Sequence, residues 1–357
     1  MMTAASLAAS TQPLAGVYDV ALLDLDGVVY VGADAVPGAV AHLAAAQQLG
    51  QHLGYVTNNA ARAPHTVAEH LRELGLSLDD TDVVTSAQAA ARLVAERVPA
   101  GARVLVVGGA GLVEALAEHD LTSVDSADDG PAAVVQGFHP TVGWQLLAEG
   151  AYAVAAGLPW VASNADRTVP TARGIAPGNG MLVEAIGAAT GVRPVVAGKP
   201  EPALIEESVL RTGARRPLMV GDRLDTDISG ARRYGMPSLL VLTGVTTIEQ
   251  LLAATGDERP DFVAADLGGL LVAHPEVHGM GGAAAACAGW TARIVDGQLV
   301  LSDDQPTADD PAPPDTVAAP LAALRAAVAA CWLAHDDAGS IELDTSPAVE
   351  LLGEMMQ

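Results

Sequence analysis

Short apolar runs alternate with amphipathic stretches through the first 240 residues of the chain. Residues 18–25 are apolar up to Asp24 and Asp26, which is typical of a buried parallel strand followed by polar residues. Further strands are predicted at 52–59, 103–107, 132–138, 159–163, 194–197, 217–221 and 238–242. Helices are predicted between them at 37–49, 64–75, 112–119, 143–156, 179–190, 201–213 and 226–234. This alternation predicts an α/β fold with parallel sheets and helices on both faces.

The pattern after residue 272 is different. Glycine and alanine dominate at first, and strand-like alternation then surrounds an Asp296-Gly297 pair that favours a hairpin turn. The remaining predictions are an acidic, proline-rich linker at 302–316, an amphipathic helix at 317–334 and a short strand at 340–343. We therefore expect a small appended α+β module at the end of the chain.

Composition narrows the classes of protein that the chain can belong to. Half of the 357 residues are hydrophobic and 17% are charged, which supports a sizeable core and excludes global disorder. The net charge of −25 repels phosphate backbones and anionic lipids, so we expect neither nucleic acid nor a membrane as a partner. No signal peptide or spanning stretch is visible, and two cysteines are too few for a disulfide framework. These features predict a cytoplasmic protein.

Four polar clusters each follow a predicted strand: 24–27, 57–59, 198–200 and 221–227. Open α/β sheets bind ligands in the crevice beyond the carboxyl ends of their strands. The first and last clusters are rich in carboxylates, which repel one another unless a cation lies between them. Because His and Cys are scarce nearby, the donor set favours Mg²⁺ over Zn²⁺.

The other two clusters offer the groups that bind phosphate. Thr57 supplies a hydroxyl, Asn58 and Asn59 supply amides, and Lys199 supplies an ammonium group. Lys199 is the only lysine among 18 basic residues, which indicates a site that requires a compact ammonium. Each cluster alone is typical of a turn or a helix cap. Their joint occurrence in this order favours a single phosphate site.

The four motifs, DLDGVVY, TNN, GKP and GDRLDTDI, resemble those of the haloacid dehalogenase (HAD) superfamily of aspartate-dependent phosphatases. More narrowly, they resemble the NagD-type (class IIA) subfamily, over roughly residues 18–265. The resemblance implies a Rossmann-like core. It also implies that Asp24 attacks phosphorus and becomes an aspartyl phosphate, while Asp26 protonates the leaving alcohol and then deprotonates water. Thr57 and the Asn58 amide would hold phosphoryl oxygens, and Lys199 would bridge Asp24 and the phosphate.

The resemblance also implies the metal site. The ligands of Mg²⁺ would be Asp24, the main-chain carbonyl of Asp26, and Asp222, with Asp227 lying beyond these ligands.

Spacing between the motifs indicates where a lid is inserted. Only 33 positions separate Asp24 from Thr57, which leaves no room for a lid, whereas 140 positions separate Asn59 from Lys199. An inserted α/β domain must occupy that interval, and it resembles the second type of cap in the superfamily, in its NagD variety. A lid excludes water and selects the leaving group. The predicted organisation is a catalytic core at 1–81 and 194–272, a cap at 82–193 and the module at 273–357.

Substrate identity must therefore come from the cap. Asn164 and Asp166, at the end of a predicted strand, suit hydroxyl groups, and Arg167 or Arg173 could pair with a second anion. A solvated loop is an equally good interpretation of all four residues.

A C-terminal module of this size resembles that of the actinobacterial glycerol 3-phosphate phosphatase group, where the addition is similar to part of a GNAT-type acetyltransferase. Residues 273–357 contain no glycine loop of the kind that binds the coenzyme A pyrophosphate. Packing, dimerisation or regulation is therefore the more plausible role. The sequence leaves open a homo-oligomer formed through the cap or this module.

The hypothesis from sequence is a Mg²⁺-dependent phosphomonoesterase that hydrolyses a small phosphate ester, with glycerol 3-phosphate first among the candidates. Phosphoglycolate, a sugar phosphate, pyridoxal phosphate and a nucleoside monophosphate are alternatives with the same chemistry. A phospho-aspartate signalling receiver and an inactive binding scaffold are alternatives of another class. A receiver would be about three times shorter and would not release an alcohol catalytically.

Overall fold

The computed structural model describes residues 7–171, 173–303, 319–338 and 343–356. The chain divides into two compact units, the first made of residues 1–53 and 215–357 and the second of residues 54–214. The predicted division into core, cap and C-terminal module is a different one and stays a prediction. The acidic linker from residue 304 onward and the predicted strand up to residue 342 lie outside the described residues.

The first unit begins with two helices, three short strands and the start of a fourth strand. Its elements are α1 (Leu14–Val17), β1 (Val20–Leu23), β2 (Tyr30–Val31), β3 (Asp34–Ala35), α2 (Ala39–Gln48) and the start of β4 (His52–Thr57). The boundary between the two units falls inside β4. Strand β1 is wholly buried, as its uninterrupted apolar run predicts.

The second unit contains fourteen complete α-helices and β-strands among its described residues. They are α3 (Pro64–Glu73), β5 (Val83–Thr85), α4 (Ser86–Ala95), β6 (Arg103–Val107), α5 (Ala110–Ala117), β7 (Thr122–Val124), β8 (Ala133–Gln136), α6 (Trp144–Ala155), β9 (Trp160–Ala162), β10 (Thr168–Thr171), β11 (Gly174–Pro177), α7 (Asn179–Thr190), β12 (Val195–Val196) and α8 (Pro202–Thr212). Five strands form a parallel sheet in the order β12-β9-β8-β6-β7. Strands β4 and β5 pair in parallel, and β10 and β11 form a hairpin.

The first unit resumes at residue 215. Its further elements are β13 (Pro217–Gly221), α9 (Ser229–Tyr234), β14 (Ser238–Val241), α10 (Ile248–Leu252), β15 (Phe262–Ala264), β16 (His278–Gly279), β17 (Ala284–Cys287), β18 (Trp290–Val295), β19 (Gln298–Asp303), α11 (Ala319–Ala338) and α12 (Ser346–Met355). Strands β15, β14, β13 and β1 are parallel neighbours in that order, and β16 to β19 form an antiparallel sheet. Alternating strands and helices with parallel sheets confirm the predicted α/β class. The predicted hairpin is β18–β19, whose turn residues Asp296 and Gly297 both have positive φ.

Helix α11 shares a core with the residues before 272. The Trp332 indole donates to the carbonyl of Leu251 at 3.0 Å, and its ring lies 5.0 Å from the guanidinium of Arg259. Arg259 is only 4% exposed and donates to the Asp336 carboxylate at 2.8 Å and to the Ala254 carbonyl at 3.0 Å. The buried charge is thus paired and hydrogen-bonded, as burial requires. No helix within the described part of the chain has the length and apolarity needed to cross a bilayer.

Candidate active site

Three carboxylates of the first unit meet beyond the ends of β1 and β13. Asp24 directly follows β1, and its amide donates to the Val220 carbonyl of β13 at 2.9 Å. Asp222 directly follows β13, and Asp227 lies in a single π-helical turn, Leu224–Ile228, just after it. One carboxylate oxygen of each lies within 4.8 Å of the other two. Asp222 and Asp227 are 0% and 1% exposed, so the cluster is buried on this side.

Asp222 is held by the loop that follows β14. The Val245 amide donates to one of its carboxylate oxygens at 2.6 Å, and the Thr246 amide donates to its main-chain carbonyl at 3.1 Å. A Cβ at Gly244 would overlap the Asp222 carboxylate, and one at Gly27 would come within 2.6 Å of it. Gly27 also has φ +86°, a conformation that side chains disfavour. Both glycines therefore make room for the buried carboxylate.

In the acidic motif after β13, Asp227 faces the carboxylate cluster and Asp225 faces the surface. Asp227 accepts from the Arg223 amide at 3.2 Å, and a Cβ at Gly221 would overlap its side chain. Asp225 instead pairs with the Arg223 guanidinium at 2.8 and 3.0 Å at the surface. This hydrogen-bonded pair lowers the pKa of Asp225. The π-helical turn thus places Asp227 in the cluster and Asp225 outside it.

The geometry of the cluster fits the predicted Mg²⁺. Three carboxylates this close repel one another, and burial increases the repulsion. A hard divalent cation with oxygen ligands relieves it. Asp26 is exposed, and its main chain forms a bridge with Tyr30. The predicted contribution of the Asp26 carbonyl to the metal stays a prediction.

The second unit carries the predicted phosphate-binding residues at the end of β4. Thr57 is 5% exposed, and its hydroxyl accepts from the Asn59 amide at 3.1 Å. The Asn59 side chain in turn accepts from the Ala61 amide at 2.8 Å, which fixes a tight turn. The Asn58 carbonyl accepts from the Ser86 hydroxyl at 2.5 Å. The three residues therefore sit in a loop whose shape is fixed by its own hydrogen bonds.

Lys199 lies in the same unit, next to this loop. It is 3% exposed, and its main-chain amide donates to the Asn58 side-chain oxygen at 2.9 Å. The Asn58 side-chain nitrogen donates to the Lys199 carbonyl at 3.1 Å. A Cβ at Gly198 would lie only 2.8 Å from the Asn58 oxygen, so a larger residue would disturb the approach of the two segments.

Of the four cap candidates, two are in contact with this loop and two face solvent. The Asn164 side chain, 5% exposed, donates to the Asn58 carbonyl at 2.7 Å. The Asp166 carboxylate accepts from the Asn58 side-chain nitrogen at 3.3 and 3.4 Å. Arg167 precedes the β10–β11 hairpin and Arg173 lies in its turn, and both are exposed. Their predicted roles toward substrate stay predictions.

Some supporting residues were not found from the sequence. Gly244 and Val245 follow a predicted strand, and a Thr-Gly pair at that place was a usable sign of a functional loop. Ser86 offered no sign, because its partner Asn58 is 28 residues away.

The fold and the acidic cluster are those of a protein of the α/β class with a site that can hold a divalent metal. A model of haloacid dehalogenase-like hydrolases matches residues 21–122, and a second HAD-like hydrolase model matches residues 196–270. The D-glycerol 3-phosphate phosphatase of Mycobacterium tuberculosis is 49% identical over 250 residues, or 70% of each protein. The acid sugar phosphatase of Staphylococcus aureus is 37% identical over 66% of this chain and 90% of its own length.

Solved structures agree with these matches. Crystal structures of the glycerol phosphate phosphatase of M. tuberculosis, with calcium and with magnesium, align with TM-scores of 0.83 and 0.82 at 39% and 38% identity. Each covers 97% of this chain and 99% of the solved one. The chain belongs to the family of haloacid dehalogenase-like hydrolases, as the motifs indicated, and is a phosphoric monoester hydrolase.

Proposed function

We propose that this hydrolase is a Mg²⁺-dependent phosphatase whose substrate is glycerol 3-phosphate. The observation that carries the chemistry is the cluster of Asp24, Asp222 and Asp227, because it combines a nucleophile after the first strand with a cation site. The substrate is supported by the relative that is 49% identical and bears that activity in its name.

In the proposed reaction, a carboxylate oxygen of Asp24 attacks phosphorus, and the bond from phosphorus to the glycerol oxygen breaks. Asp26 gives its proton to that oxygen, which leaves as an alcohol. Asp26 then takes a proton from water as the water oxygen attacks the aspartyl phosphate. Inorganic phosphate departs and the Asp24 carboxylate is restored. The exposure of Asp26 suits a group that exchanges protons and meets incoming water.

The remaining residues stabilise charge in this proposal. The Thr57 hydroxyl, the main-chain amide of Asn58 and the Lys199 ammonium bind phosphoryl oxygens, whose negative charge redistributes during transfer. Asp24 and Asp222, with the carbonyl of Asp26, would hold Mg²⁺, with Asp227 beside them. The ion would supply charge neutralisation at the phosphoryl group.

The alternatives are other phosphate esters with the same chemistry. A sugar phosphate is favoured by the resemblance to the acid sugar phosphatase. Phosphoglycolate carries a second anion, which the exposed Arg167 or Arg173 would have to pair with. Pyridoxal phosphate and nucleoside monophosphates need a flat surface for a ring.

The test is a substrate panel measured as kcat/KM with Mg²⁺ present. Glycerol 3-phosphate should exceed phosphoglycolate, a hexose phosphate, pyridoxal phosphate and a nucleoside monophosphate by at least about tenfold, which corresponds to roughly 1.4 kcal/mol of transition-state binding. Equal rates on all five would refute the proposed substrate. EDTA should abolish turnover and added Mg²⁺ should restore it. Activity that survives EDTA would refute the metal requirement.

A cytoplasmic location is also part of the proposal. It is supported by Cys287 and Cys331, which are buried free thiols, as a reducing compartment favours. Whether the protein forms a homo-oligomer through the predicted cap or the C-terminal module can be measured by light scattering.

A further inference from the structure

The Asn58 side chain joins three segments of the second unit. Its oxygen accepts from the Lys199 amide at 2.9 Å, and its nitrogen donates to the Lys199 carbonyl at 3.1 Å. The same nitrogen donates to both oxygens of Asp166. One amide therefore holds both main-chain polar groups of Lys199 and also reaches the loop after β9.

The loop after β9 is itself firmly held. The Asn164 side chain donates to the Asn58 carbonyl at 2.7 Å and accepts from the Asp166 amide at 3.2 Å. The Asn179 side chain donates to the Asn164 carbonyl at 2.7 Å from the start of α7. A Cβ at Gly178 would overlap the Asp166 carbonyl, so the helix start lies directly against the loop. Asp166 is thus presented to Asn58 by a rigid support.

The Asp166 carboxylate selects one orientation of the Asn58 amide. The nitrogen side of that amide faces two acceptors, the Lys199 carbonyl and the carboxylate, and the oxygen side faces one donor, the Lys199 amide. Turning the amide by 180° would set its oxygen against a carboxylate and a carbonyl and its NH₂ against an N–H. Without the carboxylate, less free energy separates the two orientations, and the turned one releases the Lys199 main chain.

We propose that Asp166 is a positioning residue that acts through Asn58 on Lys199, with Asn164 as its support, and that it does not bind the leaving group. The inference rests on the proposed function, because it takes the Lys199 ammonium as a group that binds the phosphoryl oxygens. A displaced Lys199 would weaken the binding of the transition state equally for every substrate, because all substrates share the phosphoryl group. A carboxylate that bound a substrate hydroxyl would matter only for substrates that carry one.

The experiment compares two esters that share the phosphoryl group and differ in the leaving group. Glycerol 3-phosphate has hydroxyls on its leaving group, whereas p-nitrophenyl phosphate has none. Asp166→Ala should lower kcat by about tenfold on both esters, the effect of one hydrogen bond to a charged group. Asp166→Asn should recover most of the rate, because its side-chain oxygen still accepts from Asn58. The inhibition constant for vanadate, a mimic of the transferring phosphoryl group, should rise by the same factor as kcat/KM falls.

Asp125→Ala is the matched control, since Asp125 is an exposed aspartate of the same unit. It should leave both rates unchanged. Circular dichroism and thermal unfolding check that each variant folds, and Asp166→Ser, which is shorter and keeps a polar group, replaces Asp166→Ala if that variant does not.

Three results would overturn the proposal: a loss confined to glycerol 3-phosphate, no loss on either ester, or a vanadate constant that does not move. The proposed substrate fails separately. If the unaltered protein hydrolyses p-nitrophenyl phosphate but not glycerol 3-phosphate, glycerol 3-phosphate is not the substrate, and the p-nitrophenyl phosphate and vanadate measurements still decide the role of Asp166.

Discussion

Two polar clusters among the described residues are built on opposite principles. The cluster of Asp24, Asp222 and Asp227 gathers like charges within 4.8 Å of one another, in a space that glycines keep open. The cluster around Asn58 and Lys199 gathers amides and main-chain groups whose donors and acceptors match. The first arrangement stores repulsion that a cation removes, and the second stabilises itself.

This difference indicates how each cluster responds to change. Removing a charge from the carboxylate cluster relieves repulsion, so such a variant should fold well while losing activity. Removing an amide from the other cluster leaves buried groups without partners, so stability and geometry suffer together. Activity and stability measurements on matched variants therefore test the comparison directly.

Asp24→Asn should produce the largest effect. The amide is a poor nucleophile, so we expect turnover of p-nitrophenyl phosphate to fall by at least about 10⁴-fold. The melting temperature measured without metal should not fall, because one of three mutually repelling charges is gone. Retained turnover would exclude Asp24 as the nucleophile, and a lower melting temperature would contradict the idea that the cluster stores repulsion.

Lys199→Arg should produce the second largest effect, a loss in kcat of about 100-fold. The planar guanidinium is larger than an ammonium, and Lys199 is 3% exposed in a segment that Asn58 fixes. Arg293→Lys, the reverse exchange at an exposed position, is the control and should change nothing. If Lys199→Arg keeps most of its rate, the site does not require a compact ammonium.

His274 is a buried titratable group that belongs to neither cluster, and it allows the effect of burial on a single charge to be measured separately. His274 is fully buried, its Nε2–H donates to the Gly269 carbonyl at 2.9 Å, and burial lowers its pKa to about 4. Because the folded pKa lies below the unfolded value, its contribution to stability is complete above pH 6.5 and is lost as the pH falls to 4.

The expected loss over that range is about 3 kcal/mol in the free energy of unfolding. Urea unfolding at several pH values, compared with His274→Gln, isolates it from the titration of the carboxylates. If the variant and the unaltered protein show the same pH dependence, His274 is not held neutral by the fold.

Gly244→Ala should give the smallest effect. Its methyl group would displace the Asp222 carboxylate, so the Mg²⁺ concentration needed for half-maximal activity should rise about 10- to 100-fold. Gly279→Ala meets open space and is the control. An unchanged Mg²⁺ requirement in Gly244→Ala would show that the close approach to Asp222 does not control the metal site.

Much of the fold could be predicted because its signals are local. The strands at 103–107 and 217–221 were predicted to the residue, since each is an apolar run next to an arginine with a glycine at its end. Helix α4 was missed, although Thr85 and Gln88 form a capping box at its start. This alanine-rich helix is buried at eight of its ten residues. Strand β17 was missed because alanine does not favour a strand.

The sequence was sufficient to predict which residues form the candidate site. It was not sufficient to predict which of them contact one another. The order of the four motifs indicated the carboxylates and the lysine. The resemblance indicated Asp227 rather than Asp225, but the π-helical turn that places Asp227 in the cluster could not be predicted from the pattern of residues. The contact of Asp166 with Asn58 joins residues 108 positions apart, so only the folded chain shows it.

The contact between Arg259 and Trp332 has a consequence for attempts to obtain a smaller enzyme. Proteolytic removal of α11 would leave the buried guanidinium of Arg259 without Asp336 and Trp332. It would also expose the apolar surface around Leu251. The shortened phosphatase would then tend to aggregate even with its chemistry intact. Helix α11 therefore keeps the protein soluble by covering this apolar surface, and it cannot be removed without exposing it.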